Sequence, residues 1–475
     1  MSRHVLIVGG GITGLAAAHA LVTDPRARSL GVRCTLVERE RRLGGKLLTE
    51  RVEGCLVEAG PDAFLAAKPV ASELCRALGL GDRLIGTRPG RAVFIAYGGR
   101  LVPMPEGLAL GVPARLSPIL RTELLTAAEK LRLGADVVLP RRRTREDETV
   151  GAFIRRRLGN AAVDRLAGPI LAGIYAGDAD ALSLRATFPQ LLEWEASYRS
   201  LILGALTRRA GANRDGTGPV FLSLAGGMGE LVDALEAVLT EAPEASVVTG
   251  HAVGRLTRWF ERDRTTYVAD LGGGRVIAAD AAVLATPAFV SADLLAPLAP
   301  AAAAALRTIP YASTAAVALA FRRSEVSHPL DGHGFVVARG EPLQITACTW
   351  MSSKWPHRAP ADLALLRCYL GTAGRDAIID ESDEHLLDVV RRDLRTTLGI
   401  DAVPVVTRLT RWRRAMPQYL PGHLDRLAAI DAELRDLPGI ALAGAGYRGV
   451  GIPDCIRQGT EAAGRVLDAL TATSA

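Results

Sequence analysis

The clearest pattern of apolar and polar positions lies at the start of the chain. Residues 4–8 (HVLIV) form a short apolar run, which is typical of a buried parallel strand. Residues 15–22 are rich in alanine and predict a helix, and residues 34–37 (CTLV) predict a second strand that leads into Glu38. The order strand, helix, strand predicts a βαβ unit with a parallel sheet.

The later parts of the chain follow other patterns. Residues 105–210 carry long Leu/Ala runs with Arg and Glu at helical spacing, and they predict a mainly helical region. Residues 305–430 are predicted to alternate strands and turns, with strands at 314–321 (TAAVALAF) and 334–339 (GFVVAR). Prolines and charged residues interrupt the most apolar stretch, residues 284–321, so we expect no membrane span there.

Composition fits a folded protein of two or three domains. The chain has 475 residues, of which 49% are hydrophobic and 23% are charged. The six cysteines form no CxxC pair and lie away from histidines, so we expect a reducing compartment and no metal site. The first strand begins within four residues and leaves no room for a signal peptide, so we expect a cytoplasmic protein with at most peripheral membrane association.

The net charge of +6 comes almost entirely from arginine. There is no basic tail and no basic stretch interleaved with aromatic residues, which argues against nucleic acid and leaves an acidic small molecule or a lipid surface. The densest basic cluster predicts a solvated loop, with contact to an anion or a lipid as the alternative. It consists of Arg141, Arg142, Arg143 and Arg145, followed by Glu146, Asp147 and Glu148.

The residues between the first strand and the first helix predict a dinucleotide site. Gly9, Gly11 and Gly14 fit the pattern GxGxxG, in which the glycines permit the tight turn, the approach of a pyrophosphate and close packing of the helix. The helix N-terminus offers N–H groups and a positive dipole to the phosphates. Glu38 can accept hydrogen bonds from the ribose hydroxyls and would repel a 2′-phosphate, which argues against NADP.

Further glycine elements occur at both ends of the chain. Gly44 and Gly45 follow the ribose carboxylate, and Gly60 and Pro61 form a tight turn before Asp62. Residues 440–467 contain an apolar strand, four closely spaced glycines and the start of a helix near Pro453 and Asp454.

These elements resemble the flavoprotein superfamily of monoamine oxidases, phytoene desaturases and protoporphyrinogen oxidases. The resemblance implies FAD as cofactor, a backbone near Val253 that meets the adenine, and an aromatic side chain, Trp412, that packs on the FAD. It assigns FAD contacts to Gly9, Gly10, Gly11, Ile12, Thr13, Gly14, Glu38, Arg39, Gly45, Lys46, Gly60, Pro61, Asp62, Ala63, Val253, Trp412, Gly444, Val450, Gly451 and Ile452.

The same resemblance implies a mixed α/β and α+β fold of three parts. We expect a Rossmann-like, monoamine-oxidase-like FAD-binding domain from residues 1–75, 220–292 and 435–475. A β-sheet substrate-binding domain is expected from residues 76–104 and 293–434. A mainly helical subdomain is expected from residues 105–219.

Several segments narrow the resemblance to the porphyrinogen oxidases of haem biosynthesis. They include GPDAFLAAKP (60–69), YAGD (175–178) with LSLRATFP (182–189), and AMPQYLPGH (415–423). The chain looks most like the soluble bacterial type, the coproporphyrinogen III oxidases, with protoporphyrinogen IX oxidase as the alternative. More distant alternatives are an amine oxidase or carotenoid desaturase, and a porphyrin-binding flavoprotein without catalysis.

The resemblance implies a six-electron oxidation in which FAD accepts three hydrides and O2 reoxidises it to give H2O2. The cofactor carries that chemistry, so no catalytic acid or base is assigned. The partners implied are a tetrapyrrole and O2, with transient contact to a ferrochelatase left open. Because the substrate carries propionates, Lys68 is the first candidate to bind it, and Tyr175 is a candidate to line its cavity. His423 is interpreted as structural.

Overall fold

The computed structural model describes residues 3–142, 146–211, 218–261 and 264–472, and the structural statements below concern these residues. In chain order the strands are β1 (Arg3–Val8), β2 (Val32–Val37), β3 (Thr49–Val52), β4 (Cys55–Glu58), β5 (Phe64–Leu65), β6 (Leu84–Gly86), β7 (Val93–Tyr97), β8 (Arg100–Pro103), β9 (Leu108–Ala109), β10 (Val112–Pro113), β11 (Phe221–Leu224), β12 (Ala245–Val248), β13 (Arg255–Glu261), β14 (Arg264–Asp270), β15 (Val276–Ala279), β16 (Ala281–Leu284), β17 (Tyr311–Arg322), β18 (Gly334–Val337), β19 (Ile345–Trp350), β20 (Leu363–Leu370), β21 (Val406–Pro417) and β22 (Ile440–Leu442).

The α-helices are α1 (Ile12–Thr23), α2 (Pro25–Ser29), α3 (Val70–Ala77), α4 (Leu116–Arg121), α5 (Ala127–Gly134), α6 (Val150–Leu158), α7 (Asn160–Ala162), α8 (Gly168–Tyr175), α9 (Leu184–Thr187), α10 (Pro189–Tyr198), α11 (Leu201–Gly211), α12 (Gly229–Glu241), α13 (Ala288–Leu295), α14 (Pro300–Arg307), α15 (Met351–Lys354), α16 (Asp383–Leu398), α17 (His423–Leu434) and α18 (Ile452–Ala472).

A five-stranded parallel sheet, in the order β12-β2-β1-β16-β22, carries the predicted βαβ unit. The central strand β1 is apolar and buried along most of its length, as expected of a strand covered on both faces. Helices α1, α12 and α18 supply much of the core on one face of the sheet. The Rossmann-like part of the expected fold is therefore confirmed.

Helices α1 and α18 pack closely against each other at Gly459. A Cβ atom on Gly459 of α18 would lie 2.2 Å from the carbonyl oxygen of Thr13 in α1. This glycine therefore lets the last helix of the chain pack directly on the first.

A second, seven-stranded sheet runs in the order β21-β17-β20-β19-β18-β7-β8. All of its pairs are antiparallel except β18 with β7. The strands predicted at 314–321 and 334–339 correspond to β17 and β18. The β-sheet part of the expected fold is therefore confirmed as well.

The predicted alternation of strands and turns over residues 305–430 missed the short helix α15, the long helix α16 and the start of α17. The largest omission is α16. This helix buries Leu386, Val389, Val390 and Leu394 in the core of the seven-stranded sheet. The apolar positions recur at helical spacing, but they are diluted by many charged residues on the other face.

Residues 105–210 are mainly helical, as predicted, and contain α4 to α11 with one short hairpin formed by β9 and β10. In the basic cluster, the Arg142 guanidinium lies 2.7 Å from the Glu148 carboxylate, while Arg143 and Arg145 fall outside the described residues. Among the helices that the structure describes, none is long and apolar enough to cross a membrane. The division into three domains at the stated bounds stays a prediction.

Candidate functional site

The glycine turn between β1 and α1 has the geometry that a pyrophosphate site requires. Gly9 has a φ of +106°, a conformation that favours glycine. A Cβ atom on Gly14 would lie 1.9 Å from the carbonyl oxygen of Gly9, whereas a Cβ on Gly11 would meet no protein atom within 4 Å. Gly14 therefore serves packing, and Gly11 faces open space beside the first turn of α1. The first N–H groups of α1, at Ile12 and Thr13, have no partner within the helix.

Glu38 lies where the sequence placed the ribose acceptor, at the end of β2. One carboxylate oxygen accepts a hydrogen bond of 2.6 Å from the N–H of Gly10, and the other accepts one of 2.9 Å from the N–H of Glu40. These two bonds hold the carboxylate beside the glycine turn. Arg39 points away into solvent, 3.2 Å from Glu40, and Val253 is buried beside β1 and β2.

The second glycine turn packs directly on the first. Gly44 and Gly45 have φ angles of +92° and +56°, and the N–H of Gly44 donates to the carbonyl of Gly10 at 2.8 Å. Arg42 stabilises this turn by donating to the carbonyl of Gly45 at 2.6 Å. The doublet therefore brings residues 44–46 beside the open space at Gly11.

Lys46 follows the doublet, and the residue is half-buried. Burial lowers the pKa of Lys46 below its ordinary value, and no carboxylate in the described part of the chain forms an ion pair with it. A cation that is partly withdrawn from water without a counter-charge loses hydration that nothing replaces. Its position fits an anionic or strongly polar ligand that would complete the site.

A third turn, at residues 59–62, packs on the second glycine turn. A Cβ on Gly60 would lie 1.8 Å from the carbonyl oxygen of Lys46, so this contact requires glycine. The carbonyl of Ala59 accepts hydrogen bonds from the indole N–H of Trp412 at 2.8 Å and from Arg367 at 3.3 Å. Trp412 thus contacts one of the predicted cofactor segments.

The side chain of Asp62, in the same turn, is almost entirely enclosed. It accepts hydrogen bonds of 2.7 Å from the ammonium of Lys354 and of 2.7 Å from the indole N–H of Trp355. Burial by itself would raise the pKa of Asp62, but the charges of Lys354 and Arg367 outweigh it and hold the pKa well below the ordinary value.

The C-terminal glycine element ends at the N-terminus of α18, which begins at Ile452. The hydroxyl of Tyr419 bridges this element by donating to the carbonyl of Ala445 at 2.5 Å and accepting from the N–H of Gly449 at 3.0 Å. Val450 and Gly451 follow directly and precede the first turn of the helix. Gly444, with a φ of +134°, stands at the start of the element, close to Thr13.

The two substrate candidates approach the same helix N-terminus. The ammonium of Lys68 lies 2.7 Å from the carboxylate of Asp454 in the first turn of α18. Tyr175 is buried at the end of α8 and packs edge-on against Phe188 and Tyr419. Burial raises the pKa of Tyr175 well above its usual range, and the charge of Asp454 adds to the rise. The assignment of Lys68 to the substrate stays a prediction.

His423 has a structural environment, as interpreted from the sequence. Its ring is fully buried and stacks on Tyr419 with ring centroids 4.1 Å apart. Its Nε2 lies 2.8 Å from the carbonyl of Tyr447, so Nε2 carries the proton and donates. Burial lowers the pKa of His423 to about 4.

Sequence reasoning missed Lys354, Trp355 and Arg367. Lys354 ends α15, Trp355 follows it, and Arg367 lies in β20. Their hydrogen-bond acceptors, at Ala59 and Asp62, lie about 300 positions earlier in the chain. Arg367 is buried, and its Nε and one Nη have no hydrogen-bond partner among the described residues. The only available signal was a charged residue inside an otherwise apolar strand sequence, LALLRCYL.

The arrangement fits FAD. An open glycine turn at a helix N-terminus suits a pyrophosphate, and a fixed carboxylate suits a ribose. The half-buried Lys46 has no carboxylate partner among the described residues and suits an anionic ligand. The described residues contain no cluster of His, Cys, Asp and Glu that could hold a metal ion.

Comparison with known proteins defines the class. Residues 12–467 match the family described as flavin containing amine oxidoreductase, and the chain belongs to that family. It is therefore a flavoprotein oxidoreductase with FAD as cofactor.

Particular relatives within this class are similar over nearly the whole chain. Coproporphyrinogen III oxidase of Bacillus subtilis (strain 168) is 39% identical over 474 residues, which covers 99% of this chain and 98% of the relative. The chloroplastic protoporphyrinogen oxidase of Oryza sativa subsp. japonica is 31% identical, which covers 99% of this chain and 89% of the relative.

Solved structures agree on the fold. A crystal structure from Exiguobacterium sp. 255-15, provisionally named a protoporphyrinogen oxidase, is 35% identical with a TM-score of 0.85, covering 98% of this chain and 99% of that one. Cyclohexylamine oxidase from Brevibacterium oxydans IH-35A has a TM-score of 0.68 at 18% identity, covering 99% and 100% of the two chains, and shows the fold alone.

Proposed function

We propose that this flavoprotein oxidises coproporphyrinogen III to coproporphyrin III, with O2 as the electron acceptor. One porphyrinogen and three O2 would give one porphyrin and three H2O2. The observation that carries the proposal is the 39% identity, over essentially the full length, to an enzyme named coproporphyrinogen III oxidase. Bound FAD would supply two-electron oxidation in three rounds.

The contacts between two sequence segments support the proposal. The segment 175–178 with 182–189, and the segment 415–423, carry the resemblance to porphyrinogen oxidases, and they meet in the structure. The side-chain amide of Gln418 donates to the carbonyl of Tyr175 at 2.9 Å, and the N–H of Ser183 donates to the carbonyl of Tyr419 at 2.7 Å. The two segments therefore build one wall beside the N-terminus of α18.

The proposed residue roles follow from this placement. The three stacked turns, at residues 9–14, 44–46 and 59–63, together with Glu38, would hold FAD. Val253, Trp412 and residues 444–452 would complete that site. Lys68 would meet a propionate of the substrate by a charge-assisted hydrogen bond, exchanging Asp454 for it, and Tyr175 would line the cavity.

Charge on the substrate separates the two candidate activities. Coproporphyrinogen III carries four propionates and protoporphyrinogen IX carries two. The similarity to the rice enzyme and to the Exiguobacterium structure favours protoporphyrinogen IX oxidase as the second candidate. We further propose a cytoplasmic location. We also propose transient contact with a ferrochelatase that would receive the porphyrin product.

The test is the appearance of porphyrin fluorescence with the purified, FAD-loaded protein under air and under argon. Both substrates are compared at matched concentrations, with subtraction of the rate without enzyme. We expect a faster, oxygen-dependent rise with the four-propionate substrate and stoichiometric H2O2. A preference for the two-propionate substrate would select the second candidate. Amine-dependent H2O2 without porphyrinogen turnover would overturn both.

A further inference from the structure

The carboxylate of Asp62 is held by two residues that follow a strand of the seven-stranded sheet. Its oxygen Oδ2 accepts from Lys354 and from Trp355, each at 2.7 Å. Lys354 ends the short helix α15, which directly follows strand β19 of the seven-stranded sheet. Asp62 lies just beyond β4, in the segment that packs on the glycine turns. The ion pair therefore joins the two parts of the site.

This ion pair is shielded from water. The side chains of Asp62 and Lys354 are 13% and 15% exposed. The Lys354 ammonium also lies 5.0 Å from the ring centre of Trp355 and 5.7 Å from that of Phe221. Removing Lys354 would leave the carboxylate of Asp62 poorly hydrated and without its ion-pair partner, so this loss should cost more than the loss of an exposed ion pair.

The backbone of Asp62 is held as well. The hydroxyl of Ser223 donates to the carbonyl of Asp62 at 2.7 Å, and Arg358 donates to that hydroxyl at 2.7 Å. Arg358 is fully buried and comes from the same segment as Lys354. Side chain and main chain of Asp62 are thus both anchored.

From Asp62 a continuous stack leads to the phosphate turn. Gly60 packs on the carbonyl of Lys46, and a Cβ on Gly45 would lie 3.1 Å from the Cα of Gly11. Because each of these contacts is made at glycine, no flexible side chain can absorb a displacement of the Asp62 turn.

We propose that Lys354 is a positioning residue for FAD. With Trp355 it fixes Asp62, and through the stacked turns it sets the distance between residues 59–63 and the phosphate turn at Gly11. The proposal rests on the FAD site proposed above and requires no contact between Lys354 and the cofactor.

The test begins with removal of FAD from the purified protein. The FAD-free protein is then titrated with FAD, which gives the FAD affinity and the absorption spectrum of the bound flavin. Lys354→Met keeps the length of the side chain and removes its charge. We expect FAD to bind about tenfold more weakly or worse, with an altered flavin band shape. Lys354→Arg should recover part of the affinity.

A matched control separates positioning from general destabilisation. Asp393 is a buried acid of α16 that accepts from the N–H groups of Gln344 and Ile345 at the start of β19 in the same sheet. Asp393→Asn should lower the melting temperature and leave FAD affinity and spectrum unchanged.

The double variant Asp62→Asn/Lys354→Met covers the case in which Lys354→Met does not fold. It carries no buried charge at this position, so its melting temperature should exceed that of Lys354→Met, while its FAD affinity should stay low. Wild-type FAD affinity and spectrum in either variant would overturn the proposal, as would an equal loss of affinity in Asp393→Asn. A wild-type protein that binds FAD but oxidises no porphyrinogen would refute the proposed function and leave this inference standing.

Discussion

The ammonium of Lys68 lies 2.7 Å from both carboxylate oxygens of Asp454, although the two residues are 386 positions apart. The pair stands at the first turn of α18, with 47% of the Lys68 side chain exposed. The Lys68 ammonium is therefore accessible to a second carboxylate, while Asp454, only 14% exposed, keeps the stabilisation of the positive N-terminus of α18.

This relationship gives a prediction on substrate charge. Lys68→Ala should raise KM more for coproporphyrinogen III than for protoporphyrinogen IX, by about tenfold against a few-fold, with a smaller change in kcat. Lys68→Arg should keep most of the difference. The measurement is steady-state fluorescence with both substrates, and an equal rise in KM for both would remove the propionate role.

Alanine substitutions at two glycines of the phosphate turn should have different effects, one on FAD binding and the other on folding. Gly11→Ala adds a methyl group where no protein atom lies within 4 Å, so the variant should fold with a normal melting temperature. It should bind FAD about tenfold more weakly, because the methyl group occupies space predicted for the pyrophosphate.

Gly14→Ala is the matched comparison. Its methyl group would lie 1.9 Å from the carbonyl of Gly9, so α1 must move away from β1. We expect a loss of stability of about 1–3 kcal/mol or more, seen in the protein without FAD as well. Unchanged FAD affinity in Gly11→Ala would contradict the assignment of this turn.

His423 should contribute to acid sensitivity. Its pKa of about 4 in the folded protein lies below the value of about 6.5 for an exposed histidine. The unfolded chain therefore binds a proton that the folded chain does not, and stability falls as the pH drops from about 6.5 towards 4, by up to about 1.4 kcal/mol per pH unit. Burial is the main cause, with Arg426 and Arg448 adding to it.

The measurement is the melting temperature between pH 4 and 7.5. His423→Gln should show a shallower decline over this window than the wild type, even if its stability at pH 7.5 is lower. His385→Gln, at an exposed position of α16, should follow the wild-type slope. Parallel curves for all three proteins would disprove the assignment.

A buried ion pair should dominate the stability of the helical region. Arg157 and Asp136 are both fully buried, with 2.6 Å between Nε and Oδ1. Arg157→Leu leaves Asp136 without its cation and should cost about 3–5 kcal/mol, measured by urea unfolding of the holoenzyme.

A second ion pair, made by another arginine of α6, provides the control. Arg155 and Asp180 are each about one-third exposed. Arg155→Leu should therefore cost no more than about 1 kcal/mol. Similar losses for Arg155→Leu and Arg157→Leu would show that burial does not set the strength of these pairs.

The parts of the fold that could be predicted are those with local patterns. The unit β1-α1-β2 and its glycines lie within 38 residues, so strand, turn, helix and acid could be identified together. Helix α16 was missed because its charged face dilutes the apolar positions that pack on the sheet. The segments 175–178 and 415–423 pointed to one family, but their contact with each other was visible only in the structure.

The charged partners in the site could not be predicted for a physical reason. A sequence shows which residues are charged, but it does not show which of them pair when they are distant in the chain. Asp62 and Lys354 are separated by 292 positions, and nothing in either segment indicates the other. Lys68 was identified from its segment, while its partner Asp454 had been interpreted only as a helix-start residue.

The order of strands in the parallel sheet has a consequence for synthesis on the ribosome. Strand β22 forms an edge of the sheet, and α18 packs against α1, so residues 440–472 complete a layer that begins with residues 3–23. While the intervening residues are being translated, β1 and α1 have neither their last edge strand nor their last helix. The nucleotide site therefore cannot close before residues 440–472 have been translated, and until then the nascent chain must keep its apolar N-terminal strand from aggregating.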